Sequence, residues 1–99
     1  MERVVITGMG TVNPLGLNVQ QTWKNVLNGV SGVAPITLFD SSNLLVKIAC
    51  EVKNFNPDDY MPAKEARRRD RYEWFATAAS QEAMRQAGIS STEANAERI

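Results

Sequence analysis

Three groups of residues in this sequence have types and spacings suited to chemistry: one thiol, a glycine-punctuated stretch near the N-terminus, and a dense run of bases. Cys50 is the single cysteine, and the chain has no histidine. A reactive thiolate needs a histidine partner or an electropositive helix N-terminus. Cys50 instead falls in the alternation Val46, Ile48, Cys50, Val52, which places it on the inward face of a strand. A buried, inert thiol is therefore expected. One cysteine excludes an intramolecular disulfide, and without histidine a Cys/His metal site has nothing to build on.

Ile6-Thr7-Gly8-Met9-Gly10 follows a β-branched run, as a dinucleotide-binding turn would. That fingerprint requires a third glycine at position 13 with a helix opening there. Position 13 is Asn, and Pro14 follows it. A structural turn is expected, and no cofactor.

Lys64-Glu65-Ala66-Arg67-Arg68-Arg69-Asp70-Arg71 carries five bases and two acids, net +3, in a chain whose 11 basic residues balance 11 acidic ones. At helical spacing Lys64, Arg67, Arg68 and Arg71 lie close to one side. Spacing alone favours a solvated face with pairs such as Glu65 with Arg68 or Arg69. The alternative is a docking patch for an acidic partner, where exposed charge sets encounter rate and orientation. Nucleic acid is disfavoured, because no aromatic stacking platform or chain-wide basicity accompanies the run. Trp74, beside it, is expected at a chain–chain contact.

The elements that must position these groups follow from periodicity. Val4-Val5-Ile6 predicts a strand buried on both faces, and Asn13-Pro14-Leu15-Gly16 a turn. A helix is expected over 19–28, capped by Asn18 with Gln21 completing a capping box and Gly29 at its end. Residues 31–42 read as a loop. The alternation from Val46 to Val52 predicts a strand in an edge or antiparallel position. A long helix is expected over 63–87, with Pro62 able to occupy its first turn and Gly88 closing it. Its second half stacks Ala76, Ala79, Ala83 and Ala87, a small-residue face that admits another backbone.

With 99 residues the chain is one small domain at most or a piece of a larger one, and a domain this short buries only about 60–70% of its surface. Two strands and two helices do not close a doubly covered sheet. The opening residues lack a signal-peptide pattern, and no run approaches the ~20 apolar residues of a membrane span. A soluble, cytoplasmic protein without membrane or nucleic-acid partners is expected.

Taken in order, the motifs resemble the opening of the β-ketoacyl-acyl-carrier-protein synthases. The resemblance rests on Arg3-Val4-Val5-Ile6-Thr7-Gly8-Met9-Gly10 with Pro14-Leu15-Gly16; Trp23, Leu27, Gly29 and Ser31-Gly32; Phe39-Asp40; the stretch 49–55 with Pro57; and Lys64-Glu65-Ala66-Arg67-Arg68 with Asp70-Arg71. It runs in register over nearly the whole chain and is nearest the elongating synthase II type. It implies an α/β chain forming the N-terminal part of a thiolase-like fold, an incomplete first half of the five-layer αβαβα architecture, with residues 1–99 an incomplete portion of the N-terminal domain. It further implies a homodimer that condenses acyl thioesters with malonyl-acyl-carrier protein, with acyl-carrier protein docking on Lys64, Arg67 and Arg68. The family's catalytic cysteine and histidines match no residue here. Asn13, Cys50 and Arg69 depart from the usual Thr or Ser, Gly and Met. A polyketide ketosynthase, a catalytically silent chain-length-factor partner, and an independent binding module are the alternatives.

One outcome follows directly from the missing histidines. The 99-residue polypeptide by itself should show no condensing activity, and carbon–carbon bond formation by the purified polypeptide would overturn this.

Overall fold

A computed structural model describes residues 1–98 of the chain. Three α-helices, α1 (Val19–Leu27), α2 (Ala63–Ala66) and α3 (Arg71–Ala87), accompany two strands, β1 (Val33–Pro35) and β2 (Ile48–Cys50), with short 3-10 turns at Pro57–Asp59 and Ala96–Arg98. The strands pair antiparallel, with Val33 opposite Cys50, Ala34 opposite Ala49 and Pro35 opposite Ile48.

α1 forms where its caps dictate. The Asn18 side chain accepts the Gln21 amide at 2.8 Å, one of the orphan donors of a first helical turn. Gln21 reaches one residue further back than a capping box requires, accepting from the Leu17 amide at 3.0 Å. At the far end Gly29 takes φ 67°, and the Gly29 and Val30 amides return to Val26 and Asn25, a Schellman closure. α3 ends the same way at Gly88, φ 69°, with Ile89 returning to Met84.

The N-terminal segment departs from expectation. Residues 4–6 form no strand, and Val4, Val5 and Ile6 are 93%, 69% and 82% exposed. A strand buried on both faces needs neighbours on each side, and the only sheet among the described residues is the β1–β2 pair. The segment is held from one side, where Gly8 and Gly10 lie on the alanine face of α3. A methyl group on Gly8 would overlap the Ala83 carbonyl oxygen and meet the Ala87 nitrogen at 3.0 Å. One on Gly10 would overlap the Ala79 carbonyl oxygen and come within 2.7 Å of its carbonyl carbon. Polar side chains of α3 complete the seat. Gln86 Oε1 accepts the Met9 amide at 2.7 Å. Glu82 accepts the Thr11 amide at 3.0 Å through Oε1 and the Val19 amide at 2.9 Å through Oε2. One carboxylate thus ties both the glycine segment and the first residue of α1 to α3.

Asn13-Pro14-Leu15-Gly16 is a turn, closed by reciprocal backbone bonds between Asn13 and Gly16 of 3.0 and 3.1 Å. Asn13 Nδ2 donates to Thr11 Oγ1 and to Thr22 Oγ1, at 3.0 and 2.9 Å. Consequently α1 turns Val19, Thr22 and Asn25 toward this turn, all half-buried, while Trp23, Val26 and Leu27 of its apolar stripe stay exposed.

Two further expectations are corrected. The predicted loop over 31–42 contains β1. The predicted helix over 63–87 is broken after Ala66 and resumes at Arg71. Pro62 precedes the first piece at the N-cap position, with φ −59° and ψ 144°.

Full burial is confined to Met61, Ala66 and Ala78. The Cα radius of gyration is 17.0 Å, against about 13 Å for a closed domain of ~100 residues. Helices and strands are thus in place without a closed core, as expected from their number.

The seat on α3 sets a sharp steric test. Gly10→Ala should destabilise the protein that carries this segment by about 1–3 kcal/mol, as overpacking does. Its urea midpoint should fall; an unchanged midpoint would show that the glycine segment does not lie on α3.

Candidate functional site: an arginine turn

The base-rich run lies where α2 stops. Helical bonding would carry the Asp70 amide to the Ala66 carbonyl. Instead Ala66 O accepts the Arg69 amide at 3.3 Å and the Trp74 indole N–H at 2.9 Å. The Arg68 amide likewise tightens onto Glu65 O, at 3.0 Å, the i→i+3 pattern in which helices end. Asp70 is extended, φ −80° and ψ 164°, and α3 restarts behind it.

This break redistributes the charges. Lys64, Arg67, Arg68 and Arg69 are all exposed. Arg67 Nε bonds within its own turn, to Ala63 O at 3.3 Å. Arg71 leaves the group: it is half-buried, its guanidinium carbon sits 5.0 Å over the Phe75 ring, and Nη2 donates to Val52 O at 3.4 Å. Lys64, Arg67 and Arg68 therefore share an exposed turn with Arg69, which the continuous-helix expectation did not group with them, whereas Arg71 serves packing.

A small aromatic cluster anchors the turn. Phe55 stacks on Tyr60 with centroids 5.1 Å apart and planes 6° apart, and meets Phe75 edge-on at 5.0 Å. Gln81 Nε2 donates to Tyr60 O at 2.8 Å. The chain entering α2 is thereby fixed against α3. Trp74 is half-buried over the end of α2, so its indole serves an intrachain bond rather than the chain–chain contact expected for it. Beside it the Tyr72 hydroxyl is raised above the ordinary tyrosine range by the neighbouring Glu73 carboxylate, which accepts its hydrogen bond at 3.2 Å.

Cys50 is exposed, a correction to the buried thiol expected. In the β1–β2 ribbon the paired Ala34 and Ala49 are half-buried, while Val33 and Cys50, and Pro35 and Ile48, are exposed. Parity along the strands is opposite to that inferred from side-chain hydrophobicity. The Gly8 to Gly10 stretch seats backbone on α3, and α1 opens only after Asn18, so the segment does not build a dinucleotide turn.

Beyond the ribbon, Glu51 closes the loop that follows β1. Oε1 accepts the Thr37 amide at 3.0 Å and its hydroxyl at 2.9 Å, and Oε2 accepts the Leu38 amide at 3.2 Å. The Thr37 amide, with smaller help from the Thr37 hydroxyl, Leu38 amide and Lys53 charge, holds the Glu51 carboxyl below the usual carboxylate range. Asp40 is lowered in the same manner by the Ser42 amide and hydroxyl.

The comparisons with known proteins agree with this arrangement. The family model for the beta-ketoacyl synthase N-terminal domain matches residues 1–99. The chain belongs to the beta-ketoacyl synthase family. It is 46% identical over 98 residues to the 3-oxoacyl-[acyl-carrier-protein] synthase 2 of Staphylococcus aureus strain COL, covering 99% of this chain and 24% of that protein. It is 40% identical over 98 residues to the Synechocystis protein of the same name, with the same shares covered. Among solved structures, the ishigamide ketosynthase/chain length factor superposes with a TM-score of 0.75 at 31% identity, covering 87% of this chain and 21% of that one. The chain thus spans about a quarter of the length of these beta-ketoacyl synthase relatives, and its mixed α/β architecture is a partial N-terminal portion of the thiolase-like ketosynthase fold. No helix is long and apolar enough to cross a membrane among the described residues.

The closure by Glu51 carries a defined pH dependence. Its folded pKa lies below the unfolded value, so the stabilisation is present above the ordinary carboxylate pKa and is lost as pH falls through the folded value. The Thr37 and Leu38 amide resonances should titrate with an apparent pKa below 4.5, the ordinary value for this group. Glu51→Gln should abolish that titration in an NMR pH series.

Proposed function

We propose that this chain is the N-terminal portion of the N-terminal domain of a 3-oxoacyl-acyl-carrier-protein synthase, a cytoplasmic homodimeric condensing enzyme of fatty-acid synthesis. The observation that carries the proposal is the 46% identity to a 3-oxoacyl-[acyl-carrier-protein] synthase 2, sustained across 98 residues. The exposed basic turn supports it independently, because an enzyme whose substrates arrive on an acidic carrier needs a cationic landing surface. Lys64, Arg67 and Arg68 are the proposed docking residues for acyl-carrier protein.

The chemistry of such an enzyme is a decarboxylative Claisen condensation. An enzyme cysteine thiolate attacks the acyl thioester and releases the carrier thiol. Malonyl-carrier protein then loses carbon dioxide, and the resulting carbanion attacks the enzyme-bound thioester carbonyl. A new carbon–carbon bond forms and the cysteine thiolate leaves. A helix N-terminus favours the thiolate, backbone amides hold the oxyanion, and two histidines stabilise the enolate. No residue of 1–99 is assigned any of these roles. Cys50 lies on an exposed two-stranded ribbon with no histidine in the chain to serve as base. These 99 residues contribute scaffold and carrier recognition.

A second proposal has its own support. The likeness to the ishigamide ketosynthase/chain length factor, at 31% identity and a TM-score of 0.75, favours a polyketide ketosynthase or its silent chain-length-factor partner. Both use the same carrier surface, so docking on the arginine turn is common to the two.

Charge reversal tests the docking surface. In the full-length protein carrying this segment, the double variant Arg67→Glu, Arg68→Glu should raise the KM for carrier-bound substrate on the order of tenfold, with a smaller effect on a short pantetheine thioester. The difference should shrink at high ionic strength, where exposed charges are screened. Equal losses for both substrates would count against carrier docking.

A further inference from the structure

Arg69 stands three residues after Ala66, and in a continuous helix the two would share a face. Ala66 is 5% exposed, so an unbroken helix would carry Arg69 toward the packed side. Instead Arg69 is exposed, because α2 ends at Ala66 and the following residues form a non-helical turn. Trp74 accounts for the break. Its indole N–H occupies the Ala66 carbonyl at 2.9 Å, the acceptor that the next helical amide would otherwise take. Trp74 is in turn fixed on α3, whose next residue, Phe75, packs edge-on against Phe55.

From this geometry we infer that Arg69 is a further docking cation for the acidic carrier, and that Trp74 is the positioning residue that presents it. The inference rests on the proposed carrier docking and extends it beyond Lys64, Arg67 and Arg68. Three consecutive arginines on one exposed turn give a local charge of +3 without an intervening acid. Such a cluster strengthens attraction of an acidic surface during encounter. Trp74 has no contact with the carrier in this scheme. It acts by ending α2, so that the third arginine faces solvent rather than the protein.

The test uses the full-length protein with acyl-carrier protein and, in parallel, a short pantetheine thioester. Arg69→Gln should raise the ratio of carrier KM to free-thioester KM about two- to fivefold, as expected for one exposed charge. The ratio should also become less sensitive to salt. Trp74→Phe keeps an aromatic ring and removes the N–H. It should raise the same ratio, and Arg69→Gln should add little on top of it, because the two act through one turn. If Arg67→Glu, Arg68→Glu raises the ratio while Arg69→Gln leaves it unchanged, the role of Arg69 is overturned and carrier docking stands. If none of the three moves it, carrier docking itself is overturned. Full additivity of Arg69→Gln and Trp74→Phe would remove Trp74 from the scheme.

Discussion

The structure depends on one close approach: backbone lying on backbone where Gly8 and Gly10 meet the alanine face of α3. Neither glycine position leaves room for a β-carbon against the carbonyl oxygens of Ala83 and Ala79. The approach brings the Met9, Thr11 and Val19 amides within reach of Gln86 and Glu82. Those amides lack regular strand or helix partners, and an unsatisfied buried amide costs about 1–3 kcal/mol. α3 therefore acts as a platform with three loads. One side carries the glycine segment and the start of α1, the Phe75 side carries Phe55 and Tyr60, and the Trp74 indole holds the end of α2. The position of the arginine turn follows from the third load, and the second keeps the incoming chain in place.

Local rules written into single residues were legible in the sequence. Asn18 caps α1, Gly29 and Gly88 close their helices, and residues 13–16 turn, because each feature needs only its neighbours within a few positions. The alanine face was legible for the same reason, its spacing being a property of one helix. Features decided by what lies opposite were not. The alternation from Val46 to Val52 marks a strand correctly, yet which face is covered depends on what lies beneath the ribbon, and there the covered residues are Ala34 and Ala49. Val4, Val5 and Ile6 carry the composition of a central strand, but a strand exists only with partners, and here a helix face supports the following glycines from one side.

The break before α3 lies between these cases. Residues 67–69 are good helix formers, so propensity gives no reason to stop. A signal was present in Asp70 with Glu73 three residues later, the spacing of a helix start. Its value is partial, since the Asp70 side chain makes no capping bond. The bond that takes the Ala66 carbonyl comes from Trp74, eight residues away, and no short-range pattern announces a side-chain donor to a helix end. The family resemblance placed Lys64, Arg67 and Arg68 without specifying this geometry. The separation of Arg71 from them, and the arrival of Arg69, are consequences of the break alone.

Two kinds of exposed surface result, and they differ in what water allows. Trp23, Val26, Leu27 and Val30 on α1 and its following residues, Val33 and Ile48 on the ribbon, and residues 4–6 present apolar area to solvent, at a cost of about 25 cal/mol for each Å² left uncovered. Lys64 and the arginines of the turn expose charge that is well hydrated where it stands. Covering the first kind is favourable for almost any complementary apolar surface, so it carries little information about identity. Covering the second is favourable only when the incoming surface replaces lost hydration with opposite charge. Apolar area is the part of this chain that drives packing, whereas the arginine turn is the part that can tell one partner from another. That asymmetry is why recognition is assigned to the end of α2 and scaffold to the remainder.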